Sequence, residues 1–505
     1  MASKKFIDTG TRNKPLFSNY GCAIVFHRRM PGTSFRFNHF FTYAQNEPAA
    51  FCLREDEISG LLGTQIREFG EGRYGADFFR RMASFYEIPF NQMRKRLRKD
   101  YSRASNERLA ADLDFACLRA FLNHPPMLFG LLAQNLKDYF MAELRRSLHR
   151  SEPSDPGTLL RLSAILLIPP RLSLPRKEEQ LFLLLEGEYF SYFKRRKFGK
   201  SAFRHFAGLT KTRTLLSRLE GECGWFHMEY MMHPWNAQDY LAQLLKRASH
   251  LDRRGADLIL RPKSPSLKLK ATMLEQRRFF SAHPRARKLK KLVQVMQQMA
   301  VLLDHTKELV VRGLFLMRPL MSEIGKRLGL TWLETQYLLP EEMGALLSLG
   351  KKADKKLIRQ RMHERAVLMD RGMVRVCSGN EAGNLARKLM QVNAPTGLAE
   401  LKGLGVYPGK VRGVVKIVRS QKDRRKFRRG DILVSHDIST ELTSFLKLAS
   451  AIVTDMGGMI SHAATVAREF KTPAVLQTKF ATRILKDGDW IEVNAFTGKV
   501  RKIEK

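Results

Sequence analysis

The chain changes texture near residue 400, and that change constrains its fold more than any other feature. Before it, from about residue 64 to 374, apolar residues recur three and four apart. Leu289, Leu292, Val293, Val295, Met296, Met299, Leu302 and Leu303 are one example, with the period of a helix that buries one face. Between residues 379 and 409 glycine and proline become frequent, and short β-branched runs replace the helical period. Strands are predicted at 411–418, 431–435, 451–454, 473–476, 490–494 and 499–503, with helices between them at 441–448, 461–470 and 480–485. Strands alternating with short helices over this length make one compact α/β domain.

The earlier region reads as a set of helices, at 78–86, 106–123, 130–150, 212–230, 237–247, 341–349 and 355–371. A longer one starts after Pro284 and runs towards Leu316, where Pro319 is expected to break or kink it. Residues 21–51, richer in aromatics and glycine, are candidates for short strands.

At 505 residues the chain exceeds a single core, and 44% hydrophobic with 10% aromatic residues is ordinary for a folded protein. Charge sets it apart. Lys+Arg number 89 against 49 Asp+Glu, a formal net charge of +40. The last 105 residues hold 21 Lys+Arg and 10 Asp+Glu, so the excess is spread along the chain and is no basic tail. Such a charge favours anionic partners, or it reflects a host-wide compositional habit; it does not speak to fold. The basic run Arg94-Lys95-Arg96-Leu97-Arg98-Lys99, with Tyr101 and Arg103, is the candidate for nucleic-acid contact, although a solvated helix face looks the same.

Five cysteines, Cys22, Cys52, Cys117, Cys223 and Cys377, lie far apart without CxxC spacing. Neither a zinc site nor a disulfide framework is indicated, and a reducing cytoplasm is the expected compartment. No apolar signal region follows Met1, and the most apolar run, residues 162–168, stops at Pro169-Pro170. No membrane association is expected.

The stretch Thr454-Asp455-Met456-Gly457-Gly458-Met459-Ile460-Ser461-His462 carries the chemistry. A buried strand feeds a turn with two glycines, Ser461 stands at a helix N-cap position, and His462 opens the first turn. Helix N-termini present unpaired N–H groups and partial positive charge, which is an anion site. That same field disfavours imidazolium and leaves His462 a neutral nucleophile. One geometry then serves both attack and carriage of a phosphoryl group, on condition that the ring is presented at the helix mouth by the two-glycine bend and not lost in the core.

These residues closely resemble the mobile phosphohistidine domain of phosphoenolpyruvate synthase, pyruvate phosphate dikinase and rifampicin phosphotransferase. Thr454-Asp455, Gly457-Gly458, Ser461-His462-Ala463-Ala464, Ala467-Arg468-Glu469 and Pro473-Ala474-Val475 carry the resemblance. Gly405-Val406-Tyr407-Pro408-Gly409 resembles the family's opening loop, residues 430–434 its next strand, and Asp487-Gly488-Asp489 its late turn. Gln477 stands where the family usually has glycine, and Asn494-Ala495 replaces a commoner Asp-Gly. The resemblance implies that His462 is the catalytic, phosphorylated group and that Thr454, Gly457, Gly458 and Ser461 shape its pocket. Arg468 either joins that pocket or pairs with Glu469 or another carboxylate. His436 reads as an ordinary loop histidine.

The expected architecture is therefore multidomain, a mainly α-helical N-terminal and central region followed by a C-terminal α/β (β/β/α) swivelling domain. The divisions fall at 1–155 (mixed, mostly helical and basic), 156–378 (helical, a candidate acceptor-substrate domain), 379–400 (linker) and 401–505 (the phosphohistidine domain). By resemblance the chain is a phosphotransferase without its own ATP-grasp domain or phosphoenolpyruvate-binding barrel. No metal or cofactor is expected in this chain. ATP with Mg²⁺, or phosphoenolpyruvate, would be bound by a partner, and a small molecule would accept the phosphoryl group. The contrary reading is a basic scaffold or nucleic-acid-binding protein that keeps the domain only as a fold.

Overall fold

The computed structural model describes the chain apart from residues 1–5, 13–36, 46–48, 123–128, 130–131, 133–134, 150, 195, 197, 229–233, 249–264, 391–399, 420–422, 424, 439–441, 447 and 504–505. Cys22 and parts of the readings at 21–51, 130–150, 212–230 and 441–448 lie outside the described residues. The chain divides into two compact units, one of Met1–Ile168 with His283–Lys505, the other of Pro169–Ala282.

The smaller unit is helical, with helices Leu174–Phe193, Lys200–Gly208, Thr210–Cys223, Ala237–Ala248 and Pro265–Ala282. Its core is aromatic. Tyr189, Phe193 and Phe206 interlock, and the His227 ring stacks on Trp235 with centroids 3.8 Å apart.

Within the larger unit, helix Arg287–Leu328 is the axis, packed against helices Ala76–Arg96 and Asn106–Phe121. It buries Leu289, Leu292, Met296, Met299 and Leu303 on the apolar stripe the sequence displays. The expected break at Pro319 does not occur, and the helix runs on to Gly329, whose φ of 73° makes the left-handed cap. Met317, Leu320, Met321 and Ile324 are all buried beyond or beside the proline. Their packing outweighs the roughly 3 kcal/mol that an internal proline costs a helix.

A five-stranded antiparallel sheet joins distant parts of the chain. Strands β1 (Phe6–Arg12), β2 (His39–Gln45) and β3 (Ala49–Arg54) combine with β4 (Glu364–Asp370) and β5 (Met373–Ser378) in the order β1-β3-β2-β4-β5. This corrects the helix expected over 355–371, which ends at His363. Pairing with β2 along all seven residues turns Glu364–Asp370 into a central strand. That strand is buried on both faces, so it shows no alternation that would betray it.

The C-terminal segment forms an eight-stranded sheet: β6 (Glu400–Lys402), β7 (Leu404–Tyr407), β8 (Lys410–Ile417), β9 (Ile432–Ser435), β10 (Ala451–Thr454), β11 (Ala474–Leu476), β12 (Trp490–Asn494) and β13 (Lys499–Lys502). Its order is β6-β13-β12-β8-β9-β10-β11-β7. Strands β8 to β11 run parallel to one another. The short helix Thr443–Leu446 lies in sequence between β9 and β10, and His462–Phe470 between β10 and β11. Val415, Ile432, Val434, Val453, Val475 and Ile491 form the core, all fully buried. The predicted opening loop at 405–409 is in part strand β7, which pairs antiparallel with β11. The multidomain layout, mostly helical with a C-terminal α/β domain, follows the sequence reading.

Candidate functional site

The site grows from the carboxyl ends of β9 and β10, where parallel strands expose backbone to a ligand. Strand β10 ends at Thr454, which is fully buried. Its hydroxyl donates to the Met456 carbonyl, and its own carbonyl accepts from the Thr478 amide at 2.9 Å and hydroxyl at 2.8 Å. The chain then bends through Gly457, whose φ is 109°, a conformation that side-chain-bearing residues resist. A Cβ there would stand 3.2 Å from the Ser461 hydroxyl oxygen. Gly458 closes the turn by accepting the Ser461 amide at 3.0 Å.

Ser461 is the N-cap, with its hydroxyl accepting from the Ala464 amide at 3.2 Å. His462 is the first residue of helix His462–Phe470. It therefore sits where unpaired amides and the helix field meet. The side chain is buried, with only 4% of it exposed. One neighbour comes from the long helix. The Asp304 carboxylate stands 3.6 Å from His462 Nδ1, within ion-pairing range and beyond hydrogen-bond length.

Arg468 resolves one of the two sequence alternatives. It is 2% exposed and pairs neither with Glu469 nor with any other carboxylate among the described residues. Its side chain runs back towards the helix start, as helical side chains do, and Nη1 donates to the Met459 carbonyl inside the glycine turn. Nε and Nη2 have no hydrogen-bond partner among the described residues. Burial pushes its pKa down to about 9, far below the usual arginine value. The guanidinium thus lies buried against the glycine turn with two donors uncommitted among the described residues.

His436 was missed. It follows β9 directly, and its Nδ1 lies 3.2 Å from an Asp455 carboxylate oxygen. Asp455 is itself buried and accepts from the Thr482 amide at 3.1 Å and from the Thr482 hydroxyl. The basic run at 94–99 is divided by the fold. The helix ends at Arg96, whose guanidinium is 2.7 Å from the buried Asp112 carboxylate. No helix among the described residues is long and apolar enough to cross a membrane. Cys52, Cys117, Cys223 and Cys377 are buried, and none is in a disulfide among the described residues.

Residues 427–498 match the family model described as PEP-utilising enzyme, mobile domain. A probable phosphoenolpyruvate synthase of Archaeoglobus fulgidus is 44% identical over 110 residues, 21% of this chain and 15% of that protein. Another from Pyrococcus horikoshii is 34% identical over 182 residues, 36% of this chain and 22% of its own length. An uncharacterized phosphotransferase of Bacillus subtilis is 42% identical over 103 residues, 20% of this chain and 12% of that protein. The chain thus spans less than a quarter of the length of these relatives. Its C-terminal part, around residues 427–498, is a mobile domain of the PEP-utilising enzyme family.

Proposed function

We propose that the chain is a phosphotransferase-type protein in which Nε2 of His462 accepts a phosphoryl group and the swivelling domain carries it to a small-molecule acceptor held by the helical region. The observation that carries this reading is the buried, acid-free guanidinium of Arg468 under a glycine turn that opens onto a helix beginning at His462. Thr454, Gly457, Gly458 and Ser461 hold that turn, and Arg468 with the bare helix amides neutralises the incoming charge. In-line phosphoryl transfer asks little more of a protein than such positioning and charge neutralisation.

The donor would be ATP with Mg²⁺ on a separate ATP-grasp protein, or phosphoenolpyruvate on another partner. Because the ring is 4% exposed beside Asp304, charging requires the domain to leave the long helix. The protein is therefore mixed with lysate and either ATP or phosphoenolpyruvate, and its intact mass is measured. One added phosphate is expected, acid-labile and alkali-stable, and absent from His462→Ala. If wild-type protein and variant stay equally unmodified with both donors, the domain survives here only as a fold. A basic scaffold is then the better reading.

A further inference from the structure

The contact between the carrier helix and the long helix assigns a role to a residue outside the domain. We infer that Asp304 is a positioning residue for His462: it holds a proton on Nδ1 in the docked state, and thereby makes Nε2 the atom that carries and releases the phosphoryl group. This rests on the proposed carrier function for its purpose, although its geometric core can be measured without it.

Two observations support it. The Asp304 carboxylate lies 3.6 Å from Nδ1, with Asp304 itself 19% exposed and the His462 side chain 4% exposed. A carboxylate facing one ring nitrogen in so dry a place selects the tautomer in which that nitrogen bears the proton, since a lone pair there would face negative charge. Moreover, Asp304 sits between Leu303 and His305 on the helix that packs against Ala76–Arg96 and Asn106–Phe121. It is thus fixed to the helical body, whereas His462 belongs to the C-terminal domain. The carboxylate meets the ring only while the two are together.

The chemistry of discharge then follows. The Nε2–P bond breaks with its electron pair remaining on Nε2, and a P–O bond forms to an acceptor hydroxyl or water, which gives up its proton to solvent. Because Nδ1 already holds a proton, the ring departs as neutral imidazole and not as its anion. Away from Asp304 that protonation is not enforced, and the phosphoramidate is longer-lived. Docking therefore releases the cargo at the acceptor and undocking protects it in transit.

The test uses the full chain labelled with ¹⁵N-histidine, with His462→Gln to assign the ring signals. Wild-type protein is expected to show the Nδ1–H tautomer. In Asp304→Asn and Asp304→Ala the His462 signals should move towards Nε2–H or a tautomer mixture, and Asp304→Glu should restore part of the wild-type pattern. Unchanged His462 ring signals in both Asn and Ala variants would overturn the assignment, whatever the phosphorylation state. Next, the proteins are charged with phosphoramidate as a chemical phosphoryl donor. The His462 phosphate should persist at least tenfold longer in Asp304→Asn than in wild type. Equal lifetimes overturn the release role. Failure of wild-type protein to take up phosphate counts against the carrier function and leaves the ring measurement to decide the placement of the proton.

Discussion

Two buried charges, Asp112 of the helical body and Arg468 of the C-terminal domain, are treated in opposite ways. In the body, Asp112 is fully buried and surrounded by donors: Arg96 at 2.7 Å, Arg108 at 2.8 Å and the Tyr101 hydroxyl at 3.0 Å. Arg361 likewise makes two bonds to Glu342, at 2.6 and 2.7 Å. In the C-terminal domain Arg468 is equally buried but, among the described residues, bonds to one carbonyl alone. Elsewhere in the same domain the buried Glu492 is met by Arg412 and Arg501 at 2.9 Å each, so the uncommitted donors of Arg468 are a local feature of the glycine turn. Structural ion pairs close on themselves, whereas a binding site is left one partner short.

The comparison can be broken from either side. The largest effect is expected at Asp112→Ala. Three donors lose their acceptor, but Arg96 and Arg108 are each 38% exposed and can turn to water. The cost is about 2–3 kcal/mol, mostly the loss of charge-assisted hydrogen bonds, and denaturant unfolding of the variant would measure it. Burial alone would raise the Asp112 carboxyl, yet the bonds from Arg96, Arg108 and Tyr101 outweigh it and hold its pKa below the ordinary value. Since the folded pKa is depressed, the contribution is fully present above the unfolded value of about 4 and is lost as pH falls through the folded one. Wild type should lose stability over that acid range more steeply than Asp112→Ala. Parallel acid curves for the two proteins would show that the carboxylate is not acting as an ion.

At Arg468 the expected signs split. Replacing it with methionine removes an uncompensated buried charge, so the sheet should be unchanged or more stable by up to about 1 kcal/mol. Phosphate uptake on His462 should nevertheless fall at least tenfold. Hydrogen exchange in β9 to β11 reads the first effect and intact mass the second. A variant that loses the sheet and the phosphate together would make Arg468 an ordinary support of the turn.

How much of this was legible depends on distance along the chain. Strand β10, the glycine turn, the Ser461 cap and the His462 helix are contiguous, so local rules of turns and caps specified them. The bounds of β10 and β12 agree with those read from the sequence, and Asn494 substitutes for aspartate by accepting from the Phe496 and Thr497 amides. Long-range partners left no such trace. Strand β4 is made a strand by β2, over 300 residues earlier, and its own sequence suits a helix equally well. Asp304 looks like any charged residue on a long helix until the domain packs there. His436 and Asp455 are 19 residues apart and meet only because β9 and β10 run side by side.

The smallest predicted effect tests how tightly the turn is held. Gln477 has φ 60° and Lys479 φ 69°, both left-handed, and between them Thr478 delivers both of its donors to Thr454. Family members usually carry glycine at the position of Gln477, and its backbone supplies the reason. A left-handed non-glycine residue costs roughly 1–2 kcal/mol, while glycine costs roughly 0.5–1 kcal/mol in added freedom of the unfolded chain. Gln477→Gly should therefore gain about 0.5 kcal/mol, seen as roughly twofold slower exchange of the Thr478 amide. Gly457→Ala is its mirror, placing a methyl group at φ 109° and 3.2 Å from the Ser461 oxygen, and should speed that exchange instead. If Gln477→Gly loosens the turn, the side chain of Gln477 contributes more than its backbone costs. The strain at this corner would then not be what separates the chain from its family pattern.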